Sequence, residues 1–225
     1  MKNFNWSVSN TKMLKTAKLW EKRFGKKAKF VSFNIPRLRS SDGQVTCPYD
    51  GTCADICYAG QGRMIMAASI QSRERNLAHI NRISFSSLRD KVAEDVRSMD
   101  TVTHIRIHDS GDFFSRPYYH AWIEIAEMCP KVIFYAYTKS IPFLEWDNHP
   151  SNFRIVQSLG GSKDYDIDLN RPHAKIFATE QERKMQKYCD GNSSDIPAVL
   201  GYNRIGLVYH GNKKLTEENL IQLRI

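Results

Sequence analysis

The stretch Arg106-Ile107-His108-Asp109-Ser110-Gly111-Asp112-Phe113 sets an imidazole and two carboxylates around a Ser-Gly pair. It runs straight out of the apolar segment 102–107, which reads as a buried strand. Carboxylates and imidazoles move protons and capture electrophilic carbon, and the glycine lets the backbone bend where a Cβ would clash. In parallel α/β folds such groups gather at the carboxyl ends of strands. Other candidate strands end in Thr138-Lys139-Ser140, Gly160-Gly161-Ser162-Lys163 and Thr179-Glu180. Four polar ends of this kind predict a shared mouth, with Asp109 and Asp112 as working acids and His108 orienting them. Glu180 or Asp168 is the reserve nucleophile, and most of the acidic stretch 164–168 reads as a polar loop. Arg106 alternates with Ile105 and Ile107, so Arg106 and His108 are expected on one face, where a buried ion pair is the favoured role for Arg106. Lys139 reads equally as a phosphate clamp or a solvated strand end.

Cys47, Cys53 and Cys57 form a second constellation, three thiols within eleven residues of a Gly- and Pro-containing loop. Such thiols can converge on one soft metal, and Cys189 is the expected fourth ligand, with His108, His173 and His210 in reserve. Zinc and an iron–sulfur cluster both suit that donor set, and spacing does not choose between them. Cys129 reads as core.

The elements that must position these groups follow from local pattern. Met13, Leu14, Ala17, Leu19, Trp20 and Phe24 recur at helical spacing over 10–24, and Gly25 stops that helix. Residues 29–35 read as a strand ended by Pro36, and 37–62 as a loop. Residues 64–99 read as two helices broken near 84–87. Strand 102–107, helix 116–128 and strands 132–137, 153–159, 175–178 and 205–209 follow, then a short helix over 217–223. Strands separated by helices predict an α/β domain with a mostly parallel sheet, a complete or partial (β/α) TIM-type barrel, in one domain over 1–225.

The formal charge of +9, with a pI near 9.3, favours a polyanionic partner such as nucleic acid. No run of 18 apolar residues appears, so no membrane span is expected. The first nine residues lack the apolar core of a secretory signal, and five cysteines are an odd number for a disulfide framework. A reducing cytoplasm is therefore expected.

Several of these motifs occur together in a known family. Phe33-Asn34-Ile35-Pro36, Cys47-Pro48, Thr52-Cys53, Cys57-Tyr58-Ala59, Arg106 with His108, Ser110-Gly111-Asp112-Phe113 and Tyr137-Thr138-Lys139-Ser140 resemble the phage gene-product-88 family over about 32–158. Members usually carry more cysteines near the C-terminus, where this chain has only Cys189. Asp109-Ser110-Gly111 with Phe113 is also similar to the Asp-Ser-Gly-Gly-Phe signature of tRNA-guanine transglycosylases and DNA 7-deazaguanine transglycosylases. In this chain Asp112 replaces the second glycine, and no motif for the second aspartate is recognisable. That likeness implies a (β/α) barrel exchanging guanine in DNA for a 7-deazaguanine through a covalent glycosyl-aspartate, in the host cytoplasm if phage-encoded. It implies DNA and a 7-deazaguanine base as partners. It puts Asn34, Arg106, Ser110, Gly111, Phe113, Lys139 and Ser140 around the substrate. Tyr118, Tyr119 and Trp122 would stack on a flipped base, with helix packing the alternative. Arg73, Arg75 and Asn76 would face nucleic acid or solvent. Two other readings stand beside it. One is an iron–sulfur radical enzyme using S-adenosylmethionine, although Cys-x5-Cys-x3-Cys departs from the usual spacing. The other is a zinc-stabilised nucleic-acid-binding protein.

Overall fold

Asn10 opens the first helix, α1 (Thr11–Phe24), in a computed structural model that describes residues 2–8 and 10–209. Its Oδ1 accepts from the Lys12 and Met13 amides at 2.9 and 3.3 Å, and Gly25 closes the helix at φ 66°. The strand β1 (Trp6–Ser7) precedes it and β2 (Phe30–Phe33) follows. Next come α2 (Cys53–Ile56), α3 (Ala67–Ile80) and α4 (Phe85–Arg97). Ser84 marks the predicted break, its Oγ accepting from the Ser87 amide at 3.2 Å. The strand β3 (His104–Ile107), helix α5 (Arg116–Met128) and strands β4 (Ile133–Thr138), β5 (Phe153–Ser158) and β6 (His173–Phe177) lie close to their predicted positions. The chain continues through α6 (Glu180–Met185), β7 (Cys189–Asp190), α7 (Ile196–Val199) and β8 (Arg204–Val208). The predicted helix 217–223 and the reserve ligand His210 lie outside the described residues.

The strands form one sheet in the order β1-β2-β3-β4-β5-β6-β8-β7, parallel throughout except for β1 against β2. It is open, with β1 and β7 as its edges, so the complete barrel is not formed. One face carries Val31, Phe33, Ile105, Ile107, Phe134 and Ile155 against α3, α4 and α5, where Leu77, Leu88 and Trp122 are buried. The other carries Phe30, Tyr135, Val156, Ala174 and Ile205 against Met13 of α1 and Ala198 and Val199 of α7. A closed barrel fills that second face with side chains of its own strands. Here two helices cover it, which removes the drive to close. No helix among the described residues is long and apolar enough to cross a membrane.

Candidate functional site

The acid turn begins where β3 stops being regular. His108 takes φ 63° and Gly111 φ 84°. The His108 amide still extends the ladder to Phe33 O at 2.8 Å, but its side chain leaves the face that Arg106 occupies. A Cβ on Gly111 would lie 2.3 Å from Ile35 Cγ1 and 2.9 Å from Pro36 O, so glycine is required by both dihedral and space. Asn34 clamps the turn, its Oδ1 accepting from the Asp109 and Ser110 amides at 2.6 and 3.2 Å. Asn76 holds the Asn34 carbonyl at 3.0 Å, and Arg73 donates to Ser110 Oγ at 2.9 Å. Asn34 and Ser110 thus build the turn. Arg73 and Asn76, expected to face nucleic acid or solvent, are buried behind it.

The two carboxylates enter different networks. Asp109 turns to the α1 side of the sheet. Its Oδ1 lies 3.2 Å from Arg106 Nη1 and accepts from Tyr58 Oη at 2.9 Å, and its Oδ2 accepts from Asn10 Nδ2. The same Arg106 nitrogen reaches Asp195 Oδ2 at 3.3 Å, Arg106 Nη2 reaches Tyr58 Oη at 3.3 Å, and the guanidinium lies over the Tyr137 ring. Lys12 closes the cluster on Asp195 Oδ1 at 2.6 Å, and Tyr135 Oη donates to Asp195 at 3.0 Å. Burial opposes the charge on Arg106, but Asp109, Tyr58 and Asp195 outweigh it and hold the guanidinium protonated. Burial likewise opposes the charge on Asp195, yet Lys12 and Arg106 hold it below the ordinary carboxylate value. Burial and then Asp109 push the Tyr58 phenol up, so it stays protonated. Tyr58 is 47% exposed as a residue while its hydroxyl is enclosed by buried Asp109 and Arg106, which makes the rest of Tyr58 the open side of the cluster.

Asp112 faces away from that cluster. It accepts from Thr138 Oγ1 at 2.5 Å, the Lys139 amide at 2.8 Å and its neighbour Phe113 N at 2.7 Å, tying the turn to the end of β4. Burial pushes its carboxyl up to about 6 against those hydrogen bonds. Its hydrogen bonds go to the end of β4 and to the turn itself, and none goes to the Asp109 cluster. The orienting role expected of His108 is also corrected. Its Nε2 is 2.9 Å from Tyr118 Oη, its ring sits among Phe113, Tyr118 and Trp122, and burial pushes its pKa down to about 3. Phe113, Tyr118, Tyr119 and Trp122 are fully buried core, so none offers a stacking surface. Ser140 is buried and donates to Phe113 O at 2.6 Å. Lys139 Nζ donates to Ser158 Oγ at 2.7 Å. Glu180 opens α6 in an ion pair with Arg183, and Asp168 is paired with Arg171 on an exposed loop, so neither reserve reaches the acid turn.

The thiol loop packs beside Lys139, over the end of β5. Cys53 and Cys57 share a hydrogen bond that lowers Cys53 to about 6 and, with burial, raises Cys57. Burial and then Asp112 push Cys47 up to about 12. Cys189 is not brought to them. Its thiol bonds Arg204 O at 2.9 Å, and the register Cys189–Ile205, Ala174–Ile205, Ser158–Ala174 sets it three strand spacings from β5, about 14 Å along the sheet. Among the described residues no three His, Cys, Asp or Glu side chains are grouped to hold a metal ion. Backbone hydrogen bonds position the loop instead: Cys53 N to Gly160 O at 3.1 Å, Ser162 N to Tyr49 O at 3.2 Å and Asp112 N to Thr46 O at 3.0 Å.

Sequence reasoning missed Asn10, Lys12 and Asp195 as members of the Asp109 cluster. Asn10 and Lys12 stand at the start of a helix, and Asp195 belongs to none of the motifs. Tyr58 and Tyr137 did carry a signal, since both stand inside the motifs that resemble a known family. Comparison with known proteins extends that resemblance. No solved structure matches the chain. The Gene 88 protein of Mycobacterium phage L5 is 34% identical over 103 residues, a match spanning 42% of this chain and 43% of that protein. The family model described as Gene product 88 matches residues 5–218, which include the thiol loop, the acid turn and Asp195. The chain therefore belongs to the Gene product 88 family.

Proposed function

We propose that the Asp109 cluster carries out base exchange on a nucleic acid, replacing guanine in DNA with a 7-deazaguanine. The observation that carries this reading is a buried carboxylate at the carboxyl end of a parallel strand, bridged through one guanidinium nitrogen to a second carboxylate and open on the Tyr58 side. The consecutive order β2 to β6 also supports the reading, since (β/α) barrels wind in this order and keep their sites at this end.

In this reading an Asp109 oxygen attacks C1′ as the C1′–N9 bond breaks, and the bond's electron pair leaves with the purine. Tyr58, kept protonated and bonded to Asp109, gives the departing N9 its proton. The incoming base then gives its N9 proton back to Tyr58. Its nitrogen attacks C1′, and the carboxylate is released. Arg106 and Asp195 orient Asp109 and balance its charge. The nucleoside enters from the Tyr58 side, displacing the Asn10 amide from Oδ2. No step runs through a metal.

Nucleoside mass spectrometry of DNA incubated with the protein and candidate deazaguanine bases tests the reading. Asp109→Asn is expected to lower exchange about 10²–10⁴-fold, while Asp112→Asn loses stability and retains exchange. Undiminished exchange in folded Asp109→Asn protein would refute it.

A further inference from the structure

The helix α1 and the few residues after it concentrate the charge of the chain. Between Thr11 and Lys29 there are seven lysines and Arg23 against Glu21 alone, a net +7 within a chain of +9. Met13 and Thr16 are its buried residues. At about 100° per residue, Lys15, Lys18 and Lys22 fall in one stripe on the opposite side, and all three are exposed. None of the three forms an ion pair among the described residues, and the first turn holds no acid.

This arrangement works against the helix itself. Lys15–Lys18 and Lys18–Lys22 are like charges at i,i+3 and i,i+4, and Lys12 sits at the positive end of the helix dipole. A solvated helix face needs no such concentration, and alternating acids would serve it better. The stripe also has a direction, because the N-cap residue Asn10 donates to Asp109. Fourteen residues give α1 a length of roughly 21 Å, the rise of about six nucleotides of a duplex strand.

We infer that the outward face of α1 is a phosphate track. It binds the backbone of a nucleic-acid strand and leads it to the Asp109 cluster. Lys15, Lys18 and Lys22 take successive phosphates as point charges, without reading sequence. Only the destination of the track rests on the base-exchange reading.

Fluorescence anisotropy with a labelled duplex oligonucleotide, from about 50 to 200 mM salt, tests it. Each phosphate contact contributes about 0.9 to the slope of log K against log salt, so Lys15→Gln/Lys18→Gln/Lys22→Gln together should reduce that slope by between about two and three. The same change at exposed Lys131, Lys184 and Lys187 should leave it unaltered. The melting temperature of the α1 variant should not fall, since the exchange relieves repulsion, and Lys→Arg at the three positions should keep the slope. Wild-type protein that binds no oligonucleotide, equal slopes in the two glutamine variants, or binding to anionic lipid vesicles in place of oligonucleotide would each overturn the inference. Binding through α1 without base exchange would keep the track and remove the proposed reaction. Exchange with an unaltered slope would do the reverse.

Discussion

Replacing Arg106 by leucine tests whether the buried cluster is an electrostatic unit. The guanidinium is 7% exposed and lies 3.2 and 3.3 Å from two buried carboxylates. Leucine leaves Asp195 with Lys12 at 2.6 Å, but leaves Asp109 hydrogen-bonded only to the neutral Tyr58 and Asn10 among side chains, with Arg73 as its more distant cation. Removing one partner of a buried pair costs about 3–5 kcal/mol, because the other charge stays desolvated. For a chain of this length that corresponds to a fall in Tm of roughly 6–20 °C. The loss should depend on pH in a definite direction. In the wild type Asp195 is held below its ordinary value, so its contribution is present above the unfolded pKa and lost as pH falls through the folded one. Arg106→Leu removes one of the two cations that hold Asp195 down, so the deficit should be full near pH 7 and shrink as pH falls through the ordinary carboxylate range toward about pH 3. Urea unfolding of the wild type, Arg106→Leu, Asp109→Asn and the double variant at both pH values measures it. The double variant should recover about 1 kcal/mol or more relative to additivity. A loss below about 1 kcal/mol in Arg106→Leu, or strict additivity, would refute the description of the cluster as a coupled unit.

Three further outcomes are expected. Gly111→Ala should cost about 2–4 kcal/mol from the strained dihedral and from a Cβ 2.3 Å from Ile35 Cγ1, and Ile35→Ala should restore part of that loss in a paired denaturation measurement. His108 is held neutral down to about 3 against about 6.5 when unfolded, so it costs stability progressively as pH falls below 6.5. His108→Phe should therefore flatten the stability profile between about pH 6 and 4, as read by thermal melts across that range. Chelation with EDTA should leave the melting temperature unchanged, since backbone hydrogen bonds already hold the thiol loop; a clear fall, with about one zinc or four irons by elemental analysis, would show a metal bound at that loop.

Local pattern made much of this molecule legible in its sequence. The spacing of Met13, Ala17 and Trp20, the Asn10 cap and the Gly25 stop define α1 within a few residues of chain. Segments rich in apolar residues mark β2 to β6 and β8, since strands buried on both faces carry mostly apolar side chains. Gly111 was legible as a bend, and the acid turn as the end of a strand. The short edge strands β1 and β7 were not, because two residues cannot display a period of two.

What tertiary structure decided is which groups meet. Alternation put His108 beside Arg106, but that rule holds only while the backbone is extended, and φ 63° turns His108 into the aromatic core behind α5. Asp109 and Asp112 are three positions apart, yet one joins Arg106 and the other caps β4. Asp195 completes the cluster from 89 positions beyond Arg106, and Cys189 lies three strands from the thiols it was expected to join. Sheet closure is of the same kind. It depends on whether α1 and α7 cover the inner face, which no window of sequence contains. Local spacing determined the elements and the chemistry available at their ends. The pairing of charges across the sheet was set by packing, because a buried charge takes whichever partner the fold delivers to it.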